Sequence, residues 1–302
     1  MHQQGETLGG LSGLSKVFSK SLNLKEFNYK DHKEGTKGTK NLSYKTLSKP
    51  LWLTKTKTMF SKTKILPISL LIILLISIIA LFQVEPITQD LAYHNFSDQL
   101  RFWSIENAWN VLSNLPFVIV GIFGFLWSLT LKKDKFQFIF LSIAIALVGF
   151  GSAYYHINPN NATLVWDRLP MTLAFTTIFS LVISQFINEK IGYILWTILV
   201  FVGIGSIWYW NKFDDLRIYA LVQFYPLIAI LLCLLFSKIN THLKLSYWLL
   251  LSFYVMAKIC EHFDMEIHEF LVVISGHSLK HVFAAVGLWF WFKLQHQLYL
   301  NS

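Results

Sequence analysis

The feature that most constrains this chain is a series of eight apolar runs that carry few or no charged residues and are separated by polar segments. An ionisable side chain is costly in lipid, and a helix needs roughly 20 apolar residues to cross the hydrocarbon core of a bilayer. The runs therefore predict membrane-spanning helices. Their ranges are 65–84, 108–131, 136–156, 167–188, 191–209, 218–236, 245–260 and 276–294.

Composition supports this interpretation of the runs. The chain is 54% hydrophobic and only 14% charged, which excludes an ordinary water-soluble domain. We predict an all-α, polytopic membrane helix bundle, with a seven-helix core over residues 92–296 and one extra transmembrane helix, residues 65–84, before it. Cys233 and Cys260 lie in or at the ends of apolar runs without a paired spacing, so neither a disulfide framework nor a cysteine zinc site is indicated.

Residues 1–64 account for the whole net charge of +9, because they contain thirteen lysines and four carboxylates. They lack an apolar period and are rich in Ser, Thr, Gly and Lys. We therefore expect a disordered basic tail that contacts anionic lipid headgroups rather than nucleic acid. The alternative is a non-functional extension or a mis-assigned start, since Met59 opens a more compact beginning. The first apolar run is long for a signal peptide and no A-x-A-like site follows it, so a membrane anchor is favoured.

The distribution of basic residues predicts the orientation. If the tail is cytoplasmic, 20 of the 26 Lys and Arg residues lie on that side and most carboxylates lie on the other. Alternate threading of the helices then brings five polar residues to one depth near the outer face, a coincidence that is unusual for scattered structural residues. They are Ser152 and His156 at the end of the third run, Asp167 at the start of the fourth, and His277 and His281 at the start of the eighth.

Three of these residues are candidate metal ligands. His277 and His281 are four residues apart, so one helix face presents both imidazoles, and His156 reaches the same depth. Three histidines without a thiolate match the catalytic class of zinc site, which keeps one coordination position open. The alternative ligands on the outer side are His94, His262 and His268.

The other two residues are candidates for catalysis. Zinc lowers the pKa of a water that it coordinates, and Asp167 can take the proton and later return it to a leaving amine. Ser152 precedes His156 by one helical turn and can donate to a developing oxyanion or hold the water. The alternative for Asp167 is a structural carboxylate in the first turn of a helix, where the helix dipole favours it and where Pro170 is also tolerated. The alternative for Ser152 is a packing residue whose hydroxyl bonds to the preceding turn.

These residues and their neighbours resemble the alkaline ceramidase family, part of a wider group of seven-helix membrane hydrolases that includes the adiponectin-type receptors. The resemblance covers about residues 92–294 and implies a seven-helix fold, a zinc ion on His156, His277 and His281, and hydrolysis of the N-acyl amide of ceramide-like lipids to a fatty acid and a sphingoid base. It rests on Trp109-Asn110-Val111-Leu112-Ser113-Asn114, Gly151-Ser152, Asp167-Arg168-Leu169-Pro170-Met171 and Gly276-His277-Ser278-Leu279-Lys280-His281.

The chain departs from the family pattern in two ways. The extra first helix is similar to that of bacterial-type relatives, so we expect the inner membrane of a bacterium, with the active site towards the outer face. The segment before Trp109 carries only Asp98 and Glu106 as carboxylates, so the calcium binding of eukaryotic relatives is not expected. Glu261 and Asp264 are expected to orient ligand histidines through their second ring nitrogens, or else to face solvent.

Two other functional classes compete with this hydrolase. One is a receptor-like or transport-related bundle with a structural metal, and the other is a hydrolase of another lipid amide or ester. A transporter places ionisable groups near the bilayer midplane, whereas here they gather at one end, which favours the hydrolase. The expected partners are a ceramide-like lipid substrate and the membrane, without a nucleic acid or a protein partner.

Overall fold

The computed structural model describes residues 52–102 and 104–300, with side chains from residue 65 onward. Residues 1–51, most of the predicted tail, lie outside the described residues. Within the described part the chain forms helices and no strand, which confirms the all-α polytopic bundle. The helices are α1 Trp52–Gln83, α2 Ala108–Leu112, α3 Leu115–Ser128, α4 Lys135–Ile157, α5 Asn161–Phe186, α6 Glu189–Phe213, α7 Arg217–Phe236, α8 Thr241–His262, α9 Asp264–Leu271 and α10 Gly276–Leu300.

Long apolar helices dominate this part of the chain. Seven spans in the described residues are long and apolar enough to cross a membrane, and the bent pair α9 and α10, at 101° to each other, makes an eighth candidate. Many of their large apolar side chains are exposed, such as Phe201 and Leu126. This pattern fits a multi-pass membrane protein, in which lipid takes the place of a buried interface.

Six helices close into a ring around the apolar core. The order of contact is α3, α4, α5, α7, α8 and α10, and α10 returns to α3, while α6 packs outside the ring against α5 and α7. Aromatic side chains such as Trp291 and Phe138 fill the interior, where both are fully buried. These large aromatic side chains pack the helices together and so hold in place the groups at the ends of the helix ring.

Two glycines of the recognised motifs set the helix spacing at one end of this ring. A Cβ added at Gly151 in α4 would lie 2.1 Å from the carbonyl oxygen of Trp166 in α5. A Cβ added at Gly276 would lie 2.2 Å from the carbonyl oxygen of Cys260 in α8. Only glycine therefore permits the close approach of these helices, which bring the predicted site residues together.

Two predicted helix boundaries are wrong. Helix α1 begins at Trp52, ahead of the predicted run that starts at residue 65. Its lysines mark the edge of the apolar part, Ile65–Gln83. Charge ends a membrane span but does not end a helix, because lysine has a good helix propensity.

Helix α5 begins at Asn161 instead of Asp167, because Asn160 caps it. The Asn160 side chain accepts from the backbone N–H of Thr163, and the Thr163 hydroxyl accepts from the backbone N–H of Asn160. Asp167 and Pro170 consequently lie in the helix interior, not in its first turn. The helix-dipole explanation for Asp167 loses its basis, since that effect fades within one turn.

The extra helix α1 is attached to the ring through α7. The Tyr225 hydroxyl donates to the carbonyl oxygen of Leu70 at 2.7 Å, a buried contact between the two helices. After α1, the segment at Ile87 contacts the start of α7, because the backbone N–H of Ile87 donates to the Asp215 carboxylate. Asp215 also forms an ion pair with Arg217 at 2.8 Å. The hydrogen bonds from the Arg217 side chain hold the pKa of the Asp215 carboxyl below its usual range.

Candidate active site

Three buried histidines meet where α4 ends and α10 begins. His156 lies in the last turn of α4, and His277 and His281 lie in the first turns of α10. One ring nitrogen of each is within 4.8 Å of one ring nitrogen of each of the others. The Nε2 atoms of His156 and His277 are 3.3 Å apart. Among the described residues, this is the group of His, Cys, Asp and Glu side chains that could hold a metal.

The short helix α2 holds two of these histidines in place. Ser113, at its C-terminal end, has its hydroxyl 2.8 Å from Nδ1 of His281. The Asn107 side chain donates to the backbone carbonyl of His156 at 2.8 Å. Between them Asn110 accepts a hydrogen bond from the Ser278 hydroxyl at 2.8 Å. These supporting residues were not predicted, although their spacing of three puts them on one face of a helix.

Glu261 and Asp264 do not orient the ring nitrogens, so this prediction is wrong. Asp264 accepts from the backbone N–H of His277 at 2.6 Å and thereby caps the start of α10. Glu261 forms ion pairs with Lys258 and with Lys280, the latter at 2.8 Å. Glu261 pairs with Lys280 instead of a histidine because α8 and α10 run side by side and bring these opposite charges together in a half-buried setting.

The alternative ligand histidines are engaged elsewhere or lie apart from the group. Both ring nitrogens of His94 have partners: Nδ1 is 2.8 Å from the Tyr155 hydroxyl, and Nε2 is 2.9 Å from the Asn161 side-chain oxygen. His262 is exposed and His268 is half-buried, and neither belongs to the three-histidine group.

Ser152 and Asp167 lie beside the histidines. The Ser152 side chain on α4 and the Asp167 carboxylate on α5 are neighbours at the level of the site. Both residues line a cavity of about 260 Å³, together with His281 from α10. The structure thus brings all five predicted site residues to one end of the ring, with His281 shared between the histidine group and the cavity.

A second, apolar cavity of about 130 Å³ continues from this one into the ring. The two cavities share five lining residues, and below them the wall is formed by side chains such as Ile178 and Leu288. A polar chamber therefore opens onto an apolar chamber, which is the arrangement that a lipid with one polar group requires. The shared residues are Phe117, Val148, Met171, Tyr254 and Ala284.

Comparison with protein families shows to which family the chain belongs. A family model described as ceramidase matches residues 102–302, which include helices α2 to α10 and all five candidate site residues. The chain belongs to the ceramidase family. Membership supports a ceramide-hydrolysing activity in general terms, and with it an amide-bond hydrolase and a lipid substrate. The comparison with curated proteins found no match.

The segment before Trp109, for which calcium binding is not expected, contains the carboxylates of Asp98 and Glu106. The Asp98 carboxylate is buried and accepts from the backbone N–H of Leu100 at 2.9 Å. Glu106 is exposed and pairs with Arg101 at 3.3 Å. Neither belongs to a metal-ligating group among the described residues. That calcium is not bound stays a prediction.

Proposed function

We propose that this protein is a zinc-dependent intramembrane amidohydrolase, which cleaves the N-acyl amide of ceramide-like lipids to a free fatty acid and a sphingoid base. The observation that carries the proposal is the meeting of three buried imidazoles with the Ser152–Asp167 pair beside a cavity that becomes apolar. Residues 92–296 form the hydrolase unit in this proposal, and α1 is an additional anchor.

The three histidines fit a zinc ion. Two imidazole nitrogens bound to zinc at about 2.0–2.1 Å with tetrahedral angles lie about 3.3 Å apart, which matches the 3.3 Å between Nε2 of His156 and Nε2 of His277. Three neutral nitrogen donors without a thiolate are the ligand set of catalytic rather than structural zinc. When bound, zinc polarises a carbonyl and makes water acidic enough to lose a proton near neutral pH.

Asp167 is proposed as the proton carrier of the reaction. Hydrolysis adds the oxygen of water to the carbonyl carbon and breaks the C–N bond, so one proton must leave the water and reach the amine. The Asp167 carboxylate, which faces the cavity, takes that proton and returns it to the leaving nitrogen. The Ser152 hydroxyl lies on the same wall beside the carboxylate, where it can donate to the carbonyl oxygen of the substrate.

The position of the cavities favours a lipid amide as substrate. A polar chamber beside the histidines can take the amide and the hydroxyl groups, and the apolar chamber inside the ring can take an alkyl chain. With the amino-terminal tail in the cytoplasm, the site faces the outer leaflet, and the amide of a lipid reaches that depth without leaving the bilayer.

The test combines metal analysis with a lipid panel. Purified full-length protein is measured for zinc and assayed for fatty acid release from ceramides, N-acyl ethanolamines and phospholipid esters, with and without a chelator. We expect chelator-sensitive release from ceramides. Release from esters alone would indicate a different lipid hydrolase, and bound zinc without release from any lipid would favour a receptor-like bundle.

A further inference from the structure

The cavity wall contains a buried arginine to which the proposed reaction assigns no role. Arg168 follows Asp167 in α5, is only 5% exposed and lines the same cavity. Its guanidinium carbon lies 4.5 Å from the ring centre of Trp210, 4.9 Å from that of Tyr219 and 5.4 Å from that of Tyr93. Three aromatic rings at these distances form a cage that stabilises a cation.

The guanidinium forms no ion pair in the described part of the chain. Ion pairs there do not include Arg168, and its Nη1 atom is buried without a hydrogen-bond partner. Asp167 lines the same cavity but does not form an ion pair with the guanidinium. A buried charge without a partner costs several kcal/mol in proteins, so a site that keeps one is built to receive the opposite charge.

The other two cations of this cavity share one carboxylate. Lys258 and Lys280 both pair with the carboxylate of Glu261. The wall thus carries three cations, Arg168, Lys258 and Lys280, and two carboxylates, Asp167 and Glu261. One positive charge remains in excess, and the fork-shaped donor set of arginine is suited to the paired oxygens of a carboxylate or phosphate.

We propose that Arg168 is an oxyanion-binding residue of the lipid site, which pairs with a carboxylate or phosphate next to the scissile amide. This inference rests on the proposed function and names the substrate chemistry more closely. The oxyanion has two sources: an acidic substituent, such as a phosphate, on the long-chain base, or the carboxylate of the released fatty acid. In both cases the guanidinium pairs with two oxygens in the cavity while the aromatic cage holds its other side.

A binding measurement tests the proposal without requiring activity. Full-length wild type, Arg168→Gln and Arg168→Lys are titrated with an alkyl phosphate, a fatty acid and an alkyl alcohol of equal chain length. We expect wild type to bind an anionic amphiphile about 10- to 100-fold more tightly than the alcohol, the contribution of a hydrogen-bonded charge pair. Arg168→Gln should lose this preference, and Arg168→Lys should keep part of it.

The matched control is Arg101→Gln, which removes an exposed arginine that pairs with Glu106 outside the cavity and should leave the preference unchanged. Preference for the alkyl phosphate, with faster hydrolysis of a ceramide phosphorylated on its base than of plain ceramide, assigns the oxyanion to the substrate. Preference for the fatty acid, with product inhibition that Arg168→Gln relieves, assigns it to the product. Equal wild-type affinities for all three amphiphiles overturn the proposal, even if Arg168→Gln does not fold. Failure of wild type to hydrolyse any ceramide, with the anion preference intact, rejects the proposed function alone.

Discussion

The hydroxyl oxygen of Ser113 lies 2.8 Å from Nδ1 of His281, and the same hydroxyl group donates to the backbone carbonyl of Asn110 at 3.1 Å. Because the Ser113 proton is committed to that carbonyl, its oxygen accepts a proton from Nδ1 of His281. The imidazole is thereby held in the tautomer whose Nε2 lone pair is free. Ligand histidines commonly have their second nitrogen fixed in this way.

The first prediction concerns this contact. Ser113→Ala removes the acceptor for Nδ1 of His281, and we expect zinc affinity to fall about 10- to 100-fold, as for other partners of ligand histidines. Zinc titration with a competing chelator measures the effect. Ser206→Ala is the control, because the Ser206 hydroxyl is also buried but bonds only to its own helix, at the carbonyl oxygen of Gly203. Equal affinity in Ser113→Ala and Ser206→Ala would refute the assignment.

The second prediction concerns the ligands themselves. Substitution of His156, His277 or His281 by Ala should each lower zinc occupancy sharply, because two nitrogen donors hold the ion much less tightly than three. His94→Ala and His262→Ala should retain the metal, since His94 has polar partners at both nitrogens and His262 is exposed. Elemental analysis of the purified variants decides the matter. Full occupancy in His156→Ala would remove that residue from the site.

The third prediction separates the roles of Asp167 and Ser152. Asp167→Asn should keep the metal and lose nearly all turnover, because an amide cannot accept the proton of the attacking water. Ser152→Ala should lose less, on the order of 10²–10³-fold in kcat, which is typical of one oxyanion donor. Single-turnover assays on metal-loaded protein distinguish the two. Near-normal turnover in Asp167→Asn would show that another group carries the proton.

The sequence predicted the groups of the site better than the elements around them. Histidines, serine and aspartate stand out in apolar runs because lipid does not favour them, so their meeting could be inferred from depth alone. The start of α5 at Asn161 was missed, because charge was used to find the ends and the capping pair of Asn160 and Thr163 is uncharged. The support from Ser113 depends on how α2 packs on α10, which no periodicity within either segment reveals.

The ion pairs of Glu261 likewise depend on contacts between helices that the sequence does not reveal. Its place at the outer end of the bundle allowed contact with a ring nitrogen or with solvent, but it pairs with Lys280 on α10. A half-buried lysine in a membrane helix needs a carboxylate partner, and only the three-dimensional arrangement shows which one it finds. Arg168 is the reverse case, in which the arrangement shows a charge without such a partner among the described residues.

The fourth prediction concerns orientation. Glu266 lies at the end of the bundle that holds the site and Lys238 lies at the other, and both are exposed. On a background without Cys233 and Cys260, a membrane-impermeant thiol reagent applied to intact cells should label Glu266→Cys and Asn161→Cys, and should not label Lys238→Cys or Lys133→Cys. The physical reason is the excess of basic residues on the Lys133 side. Labelling of the lysine positions with protection of the other two would reverse the orientation.

The last prediction concerns the chamber for the alkyl chain. Ala284 lines both cavities, so Ala284→Phe places a ring at their junction and shortens the apolar chamber. The end of a long alkyl chain then no longer fits inside the ring, so it no longer helps to position the amide at the site. We therefore expect the preference for long-chain over short-chain ceramides to fall. Ala80→Phe is the control, because Ala80 is exposed on α1. Zinc content establishes that the variant site is intact, and an unchanged chain-length profile with normal zinc would show that the acyl chain lies elsewhere.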